Sequence, residues 1–176
     1  MSGLTSQPNF NSLVAAMEGH PRENKMDLEK LNRMSDYWEV VREYYYPFES
    51  GLKAGTAEVY EHEIPGGQYT NLMQQAQGLG LQDRFLEVKK NYALVNKLFG
   101  DIVKVTPSSK VVGDLALFMT TNGFTPEDLL EKGNTISFPD SVISFFKGDL
   151  GQPHGGFPAK LQKVILKDEV AYTERP

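Results

Sequence analysis

The residues with the clearest chemical potential lie at the start of the chain, where Thr5 is followed by Ser6 and Gln7. A hydroxyl group can accept one proton and donate another in the same step, so a threonine can relay a proton without holding a charge. Hydroxyl residues just before a Pro-Asn pair, here Pro8 and Asn9, also commonly cap a helix. For this loop taken alone, helix capping is the simpler interpretation.

The histidines and the absence of cysteine decide what other site chemistry the chain could have. The sequence contains three histidines and no cysteine, which excludes thiol catalysis, disulfides and cysteine-ligated zinc. His20, His62 and His154 are far apart and show no ligand spacing. His20 and His154 stand beside proline and glycine, so we expect both in surface loops. The sequence therefore predicts no metal site formed by these residues.

A proline- and glycine-rich run at residues 62–72 could form a binding loop. Gly66 and Gly67 allow backbone angles that are closed to other residues, and Gln68 can then begin a helix. A lone Pro-Gly-Gly is most simply a tight turn between helices. For these residues taken alone, a tight turn is therefore the simpler interpretation.

A second run, Thr-Pro-Ser-Ser-Lys at residues 106–110, could form an anion-binding nest at a helix N-terminus. The simpler interpretation is that Ser108 or Ser109 caps the helix and that Lys110 is solvated. The Trp38 side chain and the tyrosines at residues 44–46 are most simply packing residues of a core or an interface.

The elements that position these residues are predicted to be almost entirely helical. The fold class is mostly α, and residues 101–105 are the one run typical of a β-strand. A complete (β/α)₈ barrel needs eight buried strands and about 250 residues, which this chain lacks. Proline and glycine separate the predicted helices, which cover residues 10–19, 27–48, 68–79, 82–99, 108–121, 140–147 and 158–167, with a further helix starting at Thr125.

Two of these helices carry a clear apolar face. Asp27 can cap the helix over residues 27–48, and the helix over residues 82–99 has a similar periodicity. The apolar positions are Leu28, Leu31, Met34, Trp38, Val41, Tyr45 and Phe48 in the first helix and Phe85, Val88, Tyr92, Val95 and Leu98 in the second.

Composition narrows the class of protein. The chain has 176 residues and a net charge of −5, with Lys and Arg scattered among acidic residues. This pattern disfavours a nucleic-acid partner, which needs a clustered basic face. No apolar run has the length that spans a membrane, and the N-terminus has no signal pattern, so we expect a cytoplasmic protein without a membrane partner.

Three runs in order carry a family resemblance: the opening loop at residues 2–8, residues 62–72 and residues 99–114. Together they resemble the carboxyltransferase domain of the pyruvate carboxylases, and the resemblance extends over the whole chain. The Tyr37-Trp38 pair and residues 145–153 are similar to the same family. The resemblance implies that residues 1–50 are the last loop and helices of a truncated TIM-barrel carboxyltransferase domain. It implies that residues 51–176 form a helical funnel, the conserved carboxylase domain.

The resemblance also implies an activity, the transfer of carboxyl from carboxybiotin to pyruvate to give oxaloacetate. In this family the threonine of the opening loop is the proton carrier, which corresponds to Thr5. The residues implied at the substrate or biotin pocket are Ser6, Gln7, Gly66, Gly67 and Gln68.

The implied cofactors and partners belong to the parent enzyme. They are a biotin attached elsewhere, a divalent metal (Zn or Mn) and ATP, none of them bound by this chain. The expected partners are pyruvate and the rest of the parent polypeptide: the barrel, the biotin carboxylase domain and the biotin carrier domain. The parent is expected to be a homotetramer. Because the chain opens on a loop without its strand, we expect a piece of a longer enzyme that is inactive when isolated.

Two alternatives remain open from the sequence. The first is an oxaloacetate decarboxylase α-subunit or a transcarboxylase subunit, which has the same fold and a different set of partners. The second is a non-catalytic helical interaction module, supported by the apolar stripe over residues 27–48. If helices that cover this stripe lie elsewhere, we expect exposed hydrophobic surface and self-association.

Overall fold

The computed structural model describes residues 8–49 and 51–174, and every regular element in those ranges is helical. The mostly α fold expected from the sequence is confirmed. The chain divides after Ala57 into two compact units. We call Met1–Ala57 the N-terminal unit and Glu58–Pro176 the C-terminal unit.

Among its described residues, the N-terminal unit contains two α-helices, α1 (Phe10–Ala16) and α2 (Leu28–Tyr44). Each begins at a side-chain cap, because Asn9 and Asp27 accept hydrogen bonds from backbone N–H groups in the first turn. The predicted extension of α2 to residue 48 is wrong. The helix ends at Tyr44 and a short 3₁₀ turn follows, because the ring of Pro47 clashes with the carbonyl four residues earlier.

The apolar stripe over residues 27–48 is partly exposed in the described part of the chain, because four of its seven residues are exposed while Leu28, Leu31 and Val41 are half-buried. Trp38 is 61% exposed and Phe48 79% exposed, and Met34 and Tyr45 are also exposed. Trp38 and the tyrosines at residues 44–46 therefore do not pack in a core within the described residues, and packing at an interface, the other part of that prediction, stays a prediction. The expected exposed hydrophobic surface is confirmed.

The C-terminal unit is built around one buried helix. Its α-helices are α3 (Val59–His62), α4 (Gly66–Gly78), α5 (Phe85–Leu98), α6 (Ser108–Asn122), α7 (Pro126–Lys132), α8 (Asp140–Lys147) and α9 (Ala159–Leu166). Most residues of α6 are buried, and α4, α5 and α8 all pack against it. In turn α9 packs on α8 and α7.

The predicted apolar face of α5 is confirmed as part of this core. Val88, Tyr92 and Val95 are fully buried, while Phe85 and Leu98 are partly buried against the same cluster. The 3.6-residue period of the sequence therefore places the core face of α5 correctly.

Two local predictions before α6 are wrong. Residues 101–105 form a loop without a strand partner in the described ranges, although their β-branched residues are typical of a strand. Ser108 does not cap α6, because it is the first residue of the helix and its Oγ lies 2.7 Å from the carbonyl oxygens of Val103 and Val105. Ser109 is buried, and its carbonyl oxygen accepts a hydrogen bond from Tyr92 at 3.2 Å.

Candidate functional site

The predicted site residues fall in two places. Thr5, Ser6 and Gln7 lie outside the described residues. Gly66, Gly67 and Gln68 form the first turn of α4, so the predicted helix start at Gln68 is two residues late. The described part of the predicted site is therefore the loop between α3 and α4 with the elements that contact it.

His62 holds this loop in place. Its ring is buried, and Nδ1 accepts a hydrogen bond from the N–H of Ile64 at 2.9 Å. The ring centroid lies 5.3 Å from that of Tyr69 in the first turns of α4. Burial, followed by the nearby positive charge of Lys89, lowers the pKa of His62. The neutral imidazole is therefore a structural acceptor that sets the entry to α4.

Two ion pairs fix the same region to the rest of the unit. Lys104 lies 2.7 Å from Glu63, and Lys89 lies 2.6 Å from Glu58. Both lysines are largely buried, and the hydrogen bond from Lys104 is the main reason that the pKa of Glu63 is lowered. Glu63 itself has a positive φ of 59° and ends α3. These contacts tie the loop to α5 and to residues 101–105.

Gln68 packs closely against α6 at Gly113. A Cβ atom at Gly113 would lie 2.7 Å from Nε2 of Gln68 and 3.1 Å from Cδ1 of Leu72. The glycine therefore allows α4 and α6 to approach at this point, where the run at residues 62–72 contacts the run at residues 99–114. At Gly67, by contrast, a Cβ would meet no heavy atom within 4 Å.

The two runs also meet at a cavity of about 520 Å³ lined by residues of polar type, which we call the amide pocket. Gln68 is one of its lining residues, and its role at a substrate or biotin pocket stays a prediction. Asn71, Gln74 and Gln75 were missed, although their spacing on α4 places polar side chains on one helix face. The lining consists of Gln68, Asn71, Gln74, Gln75, Thr106 and Lys110.

Lys110 is part of the amide pocket, and its charge is balanced. Its Nζ lies 2.6 Å from Oδ2 of Asp114. The same Oδ2 accepts a hydrogen bond from Ser141, also at 2.6 Å. The expected solvated lysine is thus half-exposed and paired. An anion-binding nest at residues 106–110 gains no support, because the nearest cation already has a carboxylate partner.

No metal centre forms among the residues that the structure describes. Within those ranges, no three His, Asp or Glu side chains are close enough to hold an ion. His20 and His154 are exposed, as expected, and His62 uses Nδ1 for the loop. The donor set present here does not fit a divalent metal.

Known proteins are similar to this chain over most or all of its length. The family described as the conserved carboxylase domain matches residues 59–176. Pyruvate carboxylase from Bacillus subtilis is 58% identical over 176 residues, and pyruvate carboxylase from Staphylococcus aureus is 56% identical over the same length. Each alignment covers 100% of this chain and 15% of the relative.

A solved structure agrees with this similarity. The carboxyl transferase domain from Rhizobium etli pyruvate carboxylase superposes with a TM-score of 0.89 at 53% identity. The match covers 99% of this chain and 29% of that chain. None of the helices that the structure describes is both long and apolar enough to cross a membrane.

Proposed function

This chain belongs to the conserved carboxylase domain family, and from that membership we propose that it works as part of a biotin-dependent pyruvate carboxylase. The observation that carries the proposal is the identity of 58% to a pyruvate carboxylase along the full 176 residues. The structural similarity to a carboxyl transferase domain supports it. Because the chain spans 15% of the relatives' length, the remaining parts of the site belong to other segments of such an enzyme.

The proposed reaction moves a carboxyl group onto the methyl carbon of pyruvate to give oxaloacetate. When bound, carboxybiotin supplies that carboxyl group. Thr5 has the role of proton carrier: its oxygen accepts the proton released from the pyruvate methyl carbon, and its hydroxyl proton passes to the ureido nitrogen left by the transfer. One proton is lost and one is gained, so the hydroxyl ends the step unchanged.

The residues proposed at the substrate or biotin pocket are Ser6 and Gln7 in the opening loop and, in the C-terminal unit, Gly66, Gly67 and Gln68 at the start of α4. Open space beside Gly67 supports an approach to the backbone at that point. Gln68 adds a side chain whose buried Nε2 has no hydrogen-bond partner among the described residues.

We propose that the other cofactors and partners act through the rest of the parent polypeptide. The described residues do not fit a divalent ion, so the zinc or manganese of the parent, and its ATP, are assigned to other segments. The biotin carboxylase domain, the biotin carrier domain, the barrel and a homotetrameric assembly complete the proposal. A cytoplasmic location is proposed from the cysteine-free sequence.

The names of the relatives favour a pyruvate carboxylase over an oxaloacetate decarboxylase α-subunit or a transcarboxylase subunit. The eight curated relatives that support this choice are 47–58% identical and are all named as pyruvate carboxylases. A purely structural helical module gains support only from the exposed stripe of α2, which a covering segment of the parent explains equally well.

Replacing Thr5 tests the proposed role in the intact enzyme that contains this chain. Thr5→Ala removes the hydroxyl, and we expect oxaloacetate formation to fall by about 10²-fold or more, the range typical of general acid–base catalysis. Thr5→Ser keeps a hydroxyl and is expected to retain most of the rate. The biotin-dependent cleavage of ATP should be unchanged in both variants. Full carboxyl transfer by Thr5→Ala would refute the role.

A further inference from the structure

The C-terminal end of α6 carries the single Asn-Gly pair of the sequence, Asn122 followed by Gly123. An asparagine side chain reacts most readily with the next backbone nitrogen when glycine follows, because glycine has no Cβ to obstruct the approach. Both residues are exposed to solvent. We propose that Asn122 is a deamidation site and that the C-terminal cap of α6 controls its reaction. This inference goes beyond the proposed function and does not depend on Thr5.

The reaction at this site needs water as its one co-reactant. The backbone nitrogen of Gly123 attacks Cγ of Asn122, so an N–C bond forms and the bond from Cγ to Nδ2 breaks. The proton of the Gly123 nitrogen leaves with Nδ2 as ammonia. Water then opens the resulting succinimide ring at either of its two carbonyl carbons, which gives aspartate or isoaspartate. No atom is oxidised or reduced.

The attacking nitrogen belongs to a well-formed helix cap. Gly123 has a positive φ of 69°, and its N–H donates to the carbonyl oxygen of Met119. The N–H of Phe124 donates to the same oxygen at 3.0 Å. The rings of Phe124 and Phe118 lie 5.8 Å apart across the helix end. An αL glycine, a backbone bond that reaches back over the last turn and an apolar contact together are typical of a Schellman-type cap.

The Asn122 side chain is held by the same cap. Its Nδ2 donates to the carbonyl oxygen of Phe118 at 2.8 Å. This hydrogen bond keeps the amide over the preceding turn of α6, the usual direction of a helical side chain. Ring closure requires Cγ to turn instead onto the nitrogen of Gly123. Both the side-chain and the backbone hydrogen bonds must therefore break before the reaction can proceed.

Local opening of the last turn of α6 is the step that releases the reaction. Opening of a helix end costs less free energy than global unfolding, so it occurs in the folded chain. The product in turn favours the open form. A carboxylate at position 122 cannot donate to the carbonyl of Phe118, and a negative charge is unfavourable at a helix C-terminus.

Peptide mapping of this chain tests the inference. Trypsin releases residues 111–132 as one peptide, in which Asn122 is the single asparagine and no glutamine occurs. A mass increase from amide to acid in this peptide therefore reports Asn122 alone, and chromatography separates the isoaspartate product. The chain is incubated in mildly alkaline buffer, once folded and once unfolded in guanidinium chloride.

We expect isoaspartate in both samples and a rate about tenfold or more lower in the folded chain. Asn122→Gln is the control for the chemistry and should show no mass increase, because glutamine would have to close a larger ring. Absence of isoaspartate in the unfolded chain would overturn the site. Equal rates in the folded and unfolded chains would overturn control by the cap.

A variant of the cap separates local opening from global unfolding. Phe124→Ala removes the contact with Phe118, and we expect deamidation in the folded chain to accelerate about fivefold, the range that an aromatic pair contributes. Phe157→Ala is the matched control, because that partly buried ring contacts Phe145 and Phe146 of α8. It should leave the rate near that of the unchanged chain. Equal acceleration by both variants contradicts a gate at the cap.

A second substitution keeps the test decisive if Phe124→Ala does not fold. Phe124→Leu retains an apolar side chain and removes the contact between the two rings, so it should accelerate deamidation to a smaller extent. An unchanged rate in every folded variant at position 124 contradicts the proposal.

Discussion

A buried imidazole that acts only as an acceptor explains the loop before α4 at the scale of single residues. His62 accepts the N–H of Ile64, which is itself fully buried, and its ring contacts Tyr69. Protonation would turn Nδ1 into a donor and break this hydrogen bond. The same charge would lie in a buried position near Lys89, which is the physical reason for the lowered pKa of His62.

This arrangement predicts a pH dependence of stability. The pKa of His62 is lower in the folded chain than in the unfolded chain, where it is near 6.5. The stability that the neutral His62 contributes is therefore fully present above pH 6.5. This contribution is lost as the pH falls from 6.5 through the lowered pKa of the folded state. An asparagine side chain at position 62 can also accept a hydrogen bond from the N–H of Ile64, and it does not titrate. We expect His62→Asn to unfold in urea with a smaller loss of stability below pH 6.5 than the unchanged chain. Identical pH profiles for the two proteins would show that His62 does not titrate as described.

At the scale of elements, α7 shows how a local sequence signal sets a helix start. The side chain of Thr125 accepts from the N–H of Asp128 at 3.2 Å, and Asp128 accepts from the N–H of Thr125 at 3.0 Å. This reciprocal capping box is followed by Pro126 at the first helical position. Hydrogen bonds from Lys132 and from Thr125 lower the pKa of Asp128 to about 2.

The cap at Thr125 should contribute measurably to the stability of the C-terminal unit. Thr125→Val keeps the shape and removes the hydroxyl, and we expect a loss of about 1 kcal/mol in the free energy of unfolding. Thr121→Val is the control, because that hydroxyl only donates to a carbonyl four residues earlier in α6. Chemical denaturation of both variants gives the comparison, and equal stabilities would contradict a role for the cap.

The elements also show what sequence alone can supply. The cap at Thr125, the glycine stop at Gly123 and the apolar period of α5 act within a few residues, so they were predictable. Residues 101–105 were wrongly predicted as a strand because their conformation depends on distant contacts, such as the pair of Lys104 with Glu63. The amide pocket was missed for the same reason, since it exists only where α4 meets the start of α6. The proton-transfer loop at residues 2–7 remains a prediction from resemblance.

At the scale of the whole molecule, the two units differ in how much core they contain. Among the described residues of the N-terminal unit, Val14 is the only buried apolar side chain, whereas the C-terminal unit has a continuous cluster. The exposed stripe of α2 adds large apolar side chains to the surface, including Trp38 beside Tyr37. Such a face is typical of a surface that another segment covers.

Self-association of the isolated chain follows from this exposed stripe. We expect sedimentation velocity to show an average mass that rises with concentration, and Trp38→Glu to reduce that rise. Tyr60→Glu, at an exposed aromatic outside the stripe, is the matched control and should behave as the unchanged chain. A monodisperse monomer at all concentrations would contradict the prediction.

The central claim is that this chain performs the same task as the matching part of a pyruvate carboxylase. Replacing that part of a known enzyme with this chain tests the claim most directly. The aligned 15% of the Bacillus subtilis enzyme is replaced with these 176 residues, and oxaloacetate formation from pyruvate, bicarbonate and ATP is measured. We predict that the chimera forms oxaloacetate and that Thr5→Ala in the chimera abolishes most of this activity. A folded chimera that still cleaves ATP in a biotin-dependent manner and forms no oxaloacetate would contradict the account.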